Sequence, residues 1–297
     1  MTDADQDPNL ISRLFGIELE NTTKNTENEE EEAKVSSEKL LKLPCHIDNH
    51  GNPVNSMSDG LEITLTGEVE KFSESLGRNA VYKKTSKIKK LPSYLTVQFV
   101  RFYWKKESNV GGTKAGKAKI LRSVIYPKVV DMYGFCSDSL KTKLDEGRAI
   151  ETKKREEEDK LRLAGKLKEA EESDAQLKGK GQVLTEEQKE EKRLVGKAAK
   201  LKEIEDEQLR HDENLYRPHG QGAETGNYEL VGVVTHKGRS ADGGHYVGWV
   251  HAKGDQWLQF DDDIVSTVKT DDILSLRGGG DWHTAYLCIY RKLEVQK

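Results

Sequence analysis

The sequence predicts an α+β protein whose strands come from two separate stretches divided by a charged, partly helical insertion. Two observations carry that expectation. β-branched and aromatic residues crowd into short runs before residue 130 and again after residue 227. Between them, residues 141–210 hold 19 basic and 19 acidic side chains, with no aromatic residue and no proline. Such a stretch cannot bury enough apolar area for a core of its own. Neither flank has enough apolar sequence to fold alone, so the insertion interrupts one domain rather than separating two. The expected boundaries are a first part over 1–140, the insertion over 141–215 and a second part over 216–297.

Each element has a local reason. Leu10-Ile11-Ser12-Arg13-Leu14-Phe15-Gly16-Ile17-Glu18-Leu19 begins apolar and ends in alternation, which predicts one strand. The Ser/Thr/Asn-rich tract after it contains Glu29 to Glu32 as an unbroken, self-repelling carboxylate run and is expected to be an exposed loop. Leu61-Glu62-Ile63-Thr64-Leu65 alternates as a strand does, whereas Leu65-Thr66-Gly67-Glu68-Val69-Glu70-Lys71-Phe72 has helix-like spacing. The densest apolar run, residues 94–104, follows Leu91-Pro92 and predicts a central strand. Gly111-Gly112-Thr113-Lys114-Ala115-Gly116-Lys117 reads as a flexible basic turn. Residues 120–130 offer another strand, which Pro127 limits to an edge or an end. In the insertion, Glu/Lys pairs three and four residues apart favour solvated helix. Its leucines sustain no heptad, and Gly165, Gly179 and Gly181 interrupt the run. After it, strands are expected from Asn227, over Tyr246 to Val250, over Gln256 to Phe260 and over Thr284 to Tyr290.

Bulk properties narrow the function. Of 297 residues, 34% are hydrophobic and 34% charged, and 48 basic against 52 acidic side chains leave a net charge of -4. No basic field that would attract phosphate backbones is present, so nucleic acid is excluded as the expected partner. Cys45, Cys136 and Cys288 are odd in number and far apart, with no knuckle or dithiol spacing, which fits a reducing compartment. The first residues lack a basic start and an apolar run, and no stretch approaches the length of a membrane helix. A soluble protein of the cytoplasm or nucleus, with no membrane partner, is the expectation.

The chemistry concentrates near the end of the chain. Gly243-Gly244-His245-Tyr246 is followed, across a polar break at Lys253-Gly254-Asp255, by Trp257-Leu258-Gln259-Phe260-Asp261-Asp262-Asp263. A hairpin folds its two ends to the same edge, so His245 before the first strand and Asp261 after the second become neighbours. An imidazole oriented by a carboxylate is what a thiol hydrolase needs to take the proton of its nucleophile. Taken alone, the pair also fits a surface histidine beside an acidic turn. The glycines before His245 favour the catalytic reading, because they let another backbone approach closely.

Thr235-His236-Lys237-Gly238-Arg239-Ser240-Ala241-Asp242-Gly243-Gly244-His245-Tyr246-Val247, together with Asp261-Asp262-Asp263 and Gly278-Gly279-Gly280-Asp281-Trp282-His283-Thr284-Ala285-Tyr286, resembles the histidine box of ubiquitin-specific proteases. Upstream, Leu43-Pro44-Cys45-His46-Ile47, Arg78-Asn79-Ala80-Val81-Tyr82 and residues 91–102 resemble the proteasome-associated branch of that family in the same order. The resemblance covers nearly all the chain outside the insertion. It implies a papain-like fold of fingers, palm and thumb, with the thumb largely absent here, and cleavage after the C-terminal Gly-Gly of ubiquitin. It makes His245 the general base and Asp261 its orienting partner. Residues 239–244 resemble a loop near the ubiquitin tail, and Gly243, Gly244 and Tyr246 become candidate substrate-binding positions. Tyr246 and Trp249 also read as packing residues, and Asp262 and Asp263 as an acidic turn.

One part of the family pattern has no counterpart. The nucleophilic cysteine of the family lies in an Asn-x-x-Cys box at a helix start, and no such box occurs in these residues, nor does a ubiquitin-like domain. The three cysteines present read as buried, structural thiols. The expectation is a hydrolase-family chain that begins after its thumb and is inactive alone. A non-catalytic ubiquitin-binding or scaffold protein is the second reading, and an insertion that carries the function is the third. Ubiquitin and ubiquitinated proteins are the expected partners, with the proteasome as a further one. No cofactor and no metal are implied, since the paired CxxC zinc ligands of some family members are absent.

Overall fold

Strand pairing, almost all of it antiparallel, organises the chain. The computed structural model describes residues 9–49, 52–105, 116–178, 186–238, 243–280 and 282–296. In order these form α1 (Leu10–Phe15), β1 (Ile17–Asn25), β2 (Lys34–Leu40), β3 (Leu43–His46), β4 (Asp48–Asn49), β5 (Asn52–Pro53), α2 (Met57–Leu65), β6 (Thr66–Ser73), β7 (Arg78–Lys90), β8 (Tyr94–Val100), β9 (Phe102–Lys105), β10 (Gly116–Lys119) and β11 (Val129–Asp131). There follow α3 (Asp138–Lys178), α4 (Glu186–Leu215), β12 (Ala223–Lys237), β13 (His245–Lys253), β14 (Gln256–Asp261), β15 (Ile264–Lys269), α5 (Thr270–Ser275) and β16 (Thr284–Val295). Two compact units result, one of Met1–Leu144 with Gly226–Leu293, the other of Asp145–Thr225 with Glu294–Lys297.

In the first unit, a four-stranded sheet runs β2-β1-β7-β6 and an eight-stranded sheet runs β15-β14-β13-β12-β16-β8-β3, with β11 added to β12. β8 is an interior strand but not the central one, since only β3 lies beyond it, and the expected strand over 94–104 breaks at Arg101 into β8 and β9; the inward residues of β8, Leu95, Val97 and Phe99, are fully buried. β8 pairs antiparallel with β16 and parallel with β3. The core continues through Leu43, Met57, Leu61, Tyr228, Trp257 and Tyr290.

A buried guanidinium ties this core together. Arg101 is 1% exposed, and no carboxylate partner is needed to satisfy it: Nε donates to the Ala285 carbonyl at 2.7 Å, Nη1 to those of Ile120 at 3.3 Å and Arg122 at 2.8 Å, and Nη2 to that of Arg277 at 3.1 Å. Burial lowers its pKa to about 10, still cationic at neutral pH. Those bonds explain why residues 120–128 depart from the expected strand. Arg101 takes the Ile120 and Arg122 carbonyls, and backbone N–H groups of Val124 and Ile125 donate to isolated partners at Arg277 and Asn55, so only Val129–Asp131 remain for a ladder.

Other expectations are also corrected. Leu10–Phe15 is a helix, not a strand, because the Asn9 side chain accepts from the Ile11 N–H and caps the first turn; the strand begins at Ile17. The next assignments are exchanged. Residues 57–65 are helical, with Met57, Gly60, Leu61 and Leu65 on one buried face and Ser56 capping Asp59. Residues 66–73 form a strand because β7 pairs with them along their whole length. The carboxylate run is a loop, yet Glu31 accepts from Asn25, Ser73, Ser75 and Tyr82 at 2.7–2.9 Å, and these bonds, Asn25 first, hold its pKa down to about 2. Residues 111–115 of the basic turn lie outside the described residues, and Gly116 and Lys117 belong to β10.

The second unit holds most of α3, of 41 residues, and α4, of 30. α3 passes through Gly165 without a break, so the charge pairs sustain more helix than the glycines suggest. Leu161, Leu163, Leu194 and Val195 are all more than 60% exposed. Among the described residues no helix is long and apolar enough to cross a membrane.

Burial separates the leucines energetically. Leu61→Ala is expected to cost about 3 kcal/mol in urea unfolding, because Leu61 is fully buried and a cavity remains. Leu163→Ala, at 62% exposure, is expected to change stability by less than about 0.5 kcal/mol.

Candidate active site

The candidate site is built on the hairpin of β13 and β14. Lys253 pairs with Gln256 across a two-residue turn in which Gly254 takes φ 59, a left-handed value that suits strand twist and that glycine adopts without strain. Gly248 stands opposite Phe260, so one further step along the register brings Val247 opposite Asp261. His245 lies two residues before Val247 on the same face, a diagonal within reach of an imidazole and a carboxylate. β14 ends at Asp261 because the chain turns at once: Asp262 takes φ 52, which a short polar side chain tolerates, and Ile264 returns opposite Asp261 in β15.

The two predicted catalytic side chains meet. His245 Nε2 is hydrogen-bonded to Asp261 Oδ1, with side chains 40% and 34% exposed. That bond, reinforced by the charges of Asp261 and Asp262 and opposed by Lys237, raises the pKa of His245. With Nε2 engaged by the carboxylate, Nδ1 is the nitrogen left to exchange a proton in the neutral tautomer. The donor atoms of His245, Asp261 and Asp262 lie within 4.8 Å of one another, so these three residues could share a cation; the bond between the first two already occupies Nε2.

The candidate substrate-binding residues are placed differently. Gly244 has φ 144, and a Cβ there would stand 2.4 Å from His236 Nε2 and 2.5 Å from the Lys237 carbonyl, so backbone angle and close approach both require glycine. Gly243 is exposed, with nothing within 4 Å of a Cβ position. Residues 239–242 lie outside the described residues. Tyr246 is 50% exposed and alternates to the opposite face from His245, its ring 4.7 Å from that of His236; Trp249 is 6% exposed and packs inside.

Sequence reading missed a polar chain beside the pair. Trp249 Nε1 donates to Thr235 Oγ1 at 2.9 Å, and that oxygen lies 3.2 Å from His283 Nδ1. His283 is 7% exposed, and burial leads the causes that lower its pKa. Trp282, exposed, stands edge-on to His283 and carries the Lys237 ammonium 4.8 Å from its ring centre. A tryptophan and a histidine 37 and 38 positions from His245 gave no spacing signal; the place of β16 beside β12 and the register of β12 with β13, which pairs Lys237 with His245, bring them close.

None of the cysteines is a nucleophile candidate. Cys45 and Cys288 are fully buried and Cys136 is 1% exposed. Burial raises the Cys45 thiol to about 12 and moves Cys288 up as well. Cys136 Sγ is bonded to the Met132 carbonyl at 3.2 Å. A reactive thiolate requires the reverse: exposure and a positive environment.

Comparison with known proteins gives a consistent family. A model described as ubiquitin carboxyl-terminal hydrolase matches residues 2–290. The chain is 40% identical over 289 residues to ubiquitin carboxyl-terminal hydrolase 7 of Arabidopsis thaliana, covering 96% of this chain and 53% of that protein. It is 36% identical over 288 residues to ubiquitin carboxyl-terminal hydrolase 6 of Schizosaccharomyces pombe, covering 96% and 56%. The chain thus spans about half the length of the curated relatives it matches. Among solved structures it is similar to the SAGA Ubp8/Sgf11/Sus1/Sgf73 DUB module bound to ubiquitin aldehyde, with TM-score 0.53 and 17% identity over 98% of this chain and 44% of that one, a likeness of fold.

Two titrations test the electrostatics. In an NMR titration His245 is expected to lose its proton above pH 6.5, and Asp261→Asn is expected to lower that midpoint; an unchanged midpoint would remove the carboxylate from its role. For stability the signs oppose. The raised pKa of His245 adds stability that is present below about 6.5 and lost as pH rises, but His245 is exposed enough for solvent to screen it. His236 and His283 are buried with lowered pKa values, so their contribution is present above 6.5 and lost as pH falls through the lowered values. The thermal midpoint is therefore expected to drop as pH falls below 6.5, and His283→Gln to reduce that drop.

Proposed function

The chain belongs to the ubiquitin carboxyl-terminal hydrolase family, and from that premise we propose that it supplies the base and orienting half of a thiol-dependent site that cleaves the bond after the C-terminal glycine of ubiquitin. The nucleophilic cysteine comes from sequence outside these 297 residues. The observation that carries this reading is the His245–Asp261 bond in a chain whose three cysteines are all buried.

In the proposed reaction Asp261 holds Nε2–H, so that Nδ1 of His245 is unprotonated and takes the proton of the incoming thiol. The thiolate attacks the carbonyl carbon of the terminal glycine, and the imidazolium returns the proton to the departing amine. Asp261 stabilises the imidazolium while it exists, consistent with the raised pKa of His245. The glycines before His245 provide narrow backbone along which an extended, side-chain-free tail fits. Gly243 offers open space there, and Tyr246, on the other face, is assigned to packing as well as to substrate.

Ubiquitin and ubiquitinated proteins are the proposed partners. The fold supports this, since DUB modules that share it are found with ubiquitin aldehyde or monoubiquitin bound. Association with the proteasome and residence in the cytoplasm and nucleus belong to the same proposal, and three cysteines held in no disulfide suit a reducing compartment. The buried thiols also favour a second reading, a ubiquitin-binding protein without chemistry.

A ubiquitin derivative with an electrophilic C-terminus separates these. The 297-residue chain is expected to form no covalent adduct; an adduct would show that a buried cysteine reacts after all. Joined to a family segment bearing the thiol, the chain is expected to hydrolyse ubiquitin conjugates, and His245→Ala to slow that by about 10³-fold or more. No hydrolysis by the joined chain would favour the non-catalytic reading.

A further inference from the structure

A buried cation sits behind the sheet face that carries His245. Lys119, at the end of β10, is 9% exposed, and its ammonium lies 3.0 Å from His236 Nδ1, 2.9 Å from the His236 carbonyl and 2.9 Å from the Gly238 carbonyl. His236 is 2% exposed. An ammonium only donates, so the ring nitrogen facing it is unprotonated and the proton of the neutral imidazole sits on Nε2. That nitrogen meets the backbone of Gly244, where a Cβ would stand 2.4 Å away. The ring is held from the sides by Phe102, edge-on at 5.7 Å between centres, and by Tyr246 at 4.7 Å. Burying a lysine costs desolvation, which acceptors such as these carbonyls offset. The hydrolytic chemistry has no use for it, and so its placement requires another reason.

Resting on the function proposed above, the geometry points to Lys119 as a positioning residue for the general base, acting through His236 and Gly244. The two carbonyls it binds bracket Lys237, which pairs with His245 across β12 and β13. By holding Nδ1 of His236, Lys119 fixes the ring whose Nε2 edge packs against the Gly244 backbone and so sets how closely the chain packs before it enters β13 at His245. The neutral tautomer matters. A second proton on His236 would compete with Lys119 for Nδ1 and place a cation 3.0 Å from another. Reach is the other argument: a base displaced by about 1 Å loses about 10²-fold in rate, so a device that fixes the residue next to His245 is worth its desolvation.

Nitrogen NMR of the 297-residue chain near neutral pH tests this without any hydrolysis. The native chain is expected to show His236 with Nδ1 bare and Nε2 protonated. Lys119→Met is expected to mix the His236 tautomers and to shift the ring resonances of His245. His236→Gln, whose amide oxygen can accept from Lys119, is expected to retain the native His245 resonances, whereas His236→Leu is not. In the chain joined to a thiol-bearing segment, Lys119→Met is expected to lower kcat about 10- to 100-fold with KM within about twofold. A proton on His236 Nδ1 in the native chain, or His245 resonances untouched by Lys119→Met, would overturn the inference. Where Lys119→Met does not fold, the native tautomer and the contrast between His236→Gln and His236→Leu decide. A joined chain without hydrolysis would count against the proposed function alone, since the resonance shifts are read independently of it.

Discussion

The register of β13 against β14 is the constraint on which the candidate site depends. Gly248 opposite Phe260 leaves His245 and Asp261 on one face and within reach, and a slip of a single residue would send one of them to the other face. Two devices pin that register. A one-residue bulge between His251 and Lys253 shifts the ladder from the Lys253–Gln256 turn to the Gly248–Phe260 pairing, and the inward side chains Val247, Trp249 and Trp257 are each 6% exposed or less, so a slip would exchange buried indole for solvent. Trp257 Nε1 also donates to Thr270 Oγ1, which ties β14 to the start of α5. Arg101 fixes the neighbouring loop, holding the Arg277 carbonyl and the start of β16 from which Trp282 and His283 approach the pair.

The site is chemically one-sided. Its base is half-exposed, oriented and raised in pKa, whereas all three thiols are buried, and burial disfavours the thiolate at Cys45 and Cys288. Cys45 and Cys288 are packed beside Arg101, whose charge favours their thiolates, yet burial outweighs it at both positions. Proximity to a cation is thus no substitute for access to water and substrate. The same logic explains the neutrality of His236 and His283: both are near cations and both are buried, so the two effects add and leave His245 as the histidine tuned upward.

Much of this was legible in the sequence where the signal was local. β-branched and aromatic runs gave β8 and β12 to β14, and the polar break at Lys253-Gly254-Asp255 gave the turn that joins His245 to Asp261. Misreading occurred where a local pattern was ambiguous. Leu61 and Leu65 fit a strand by alternation and a helix by their spacing of four, and only the buried face with Met57 and Gly60 decides for the helix. Residues 66–73 have no strong strand pattern, because both faces of that strand are largely exposed to solvent and β7 alone imposes the pairing. Arg101, Lys119, His236 and His283 were illegible for a different reason. Their roles come from carbonyls and rings 19 to 184 positions away, and a single charged or aromatic letter carries no trace of such partners.

The reactivity of the three cysteines toward a small alkylating reagent in the native chain tests the central claim most directly. The account predicts that Cys45, Cys136 and Cys288 react only on unfolding, at rates that His245→Ala leaves unchanged. A cysteine that reacts quickly in the folded chain at neutral pH, and slows when His245 is replaced, would contradict it, because the nucleophile would then lie within these 297 residues.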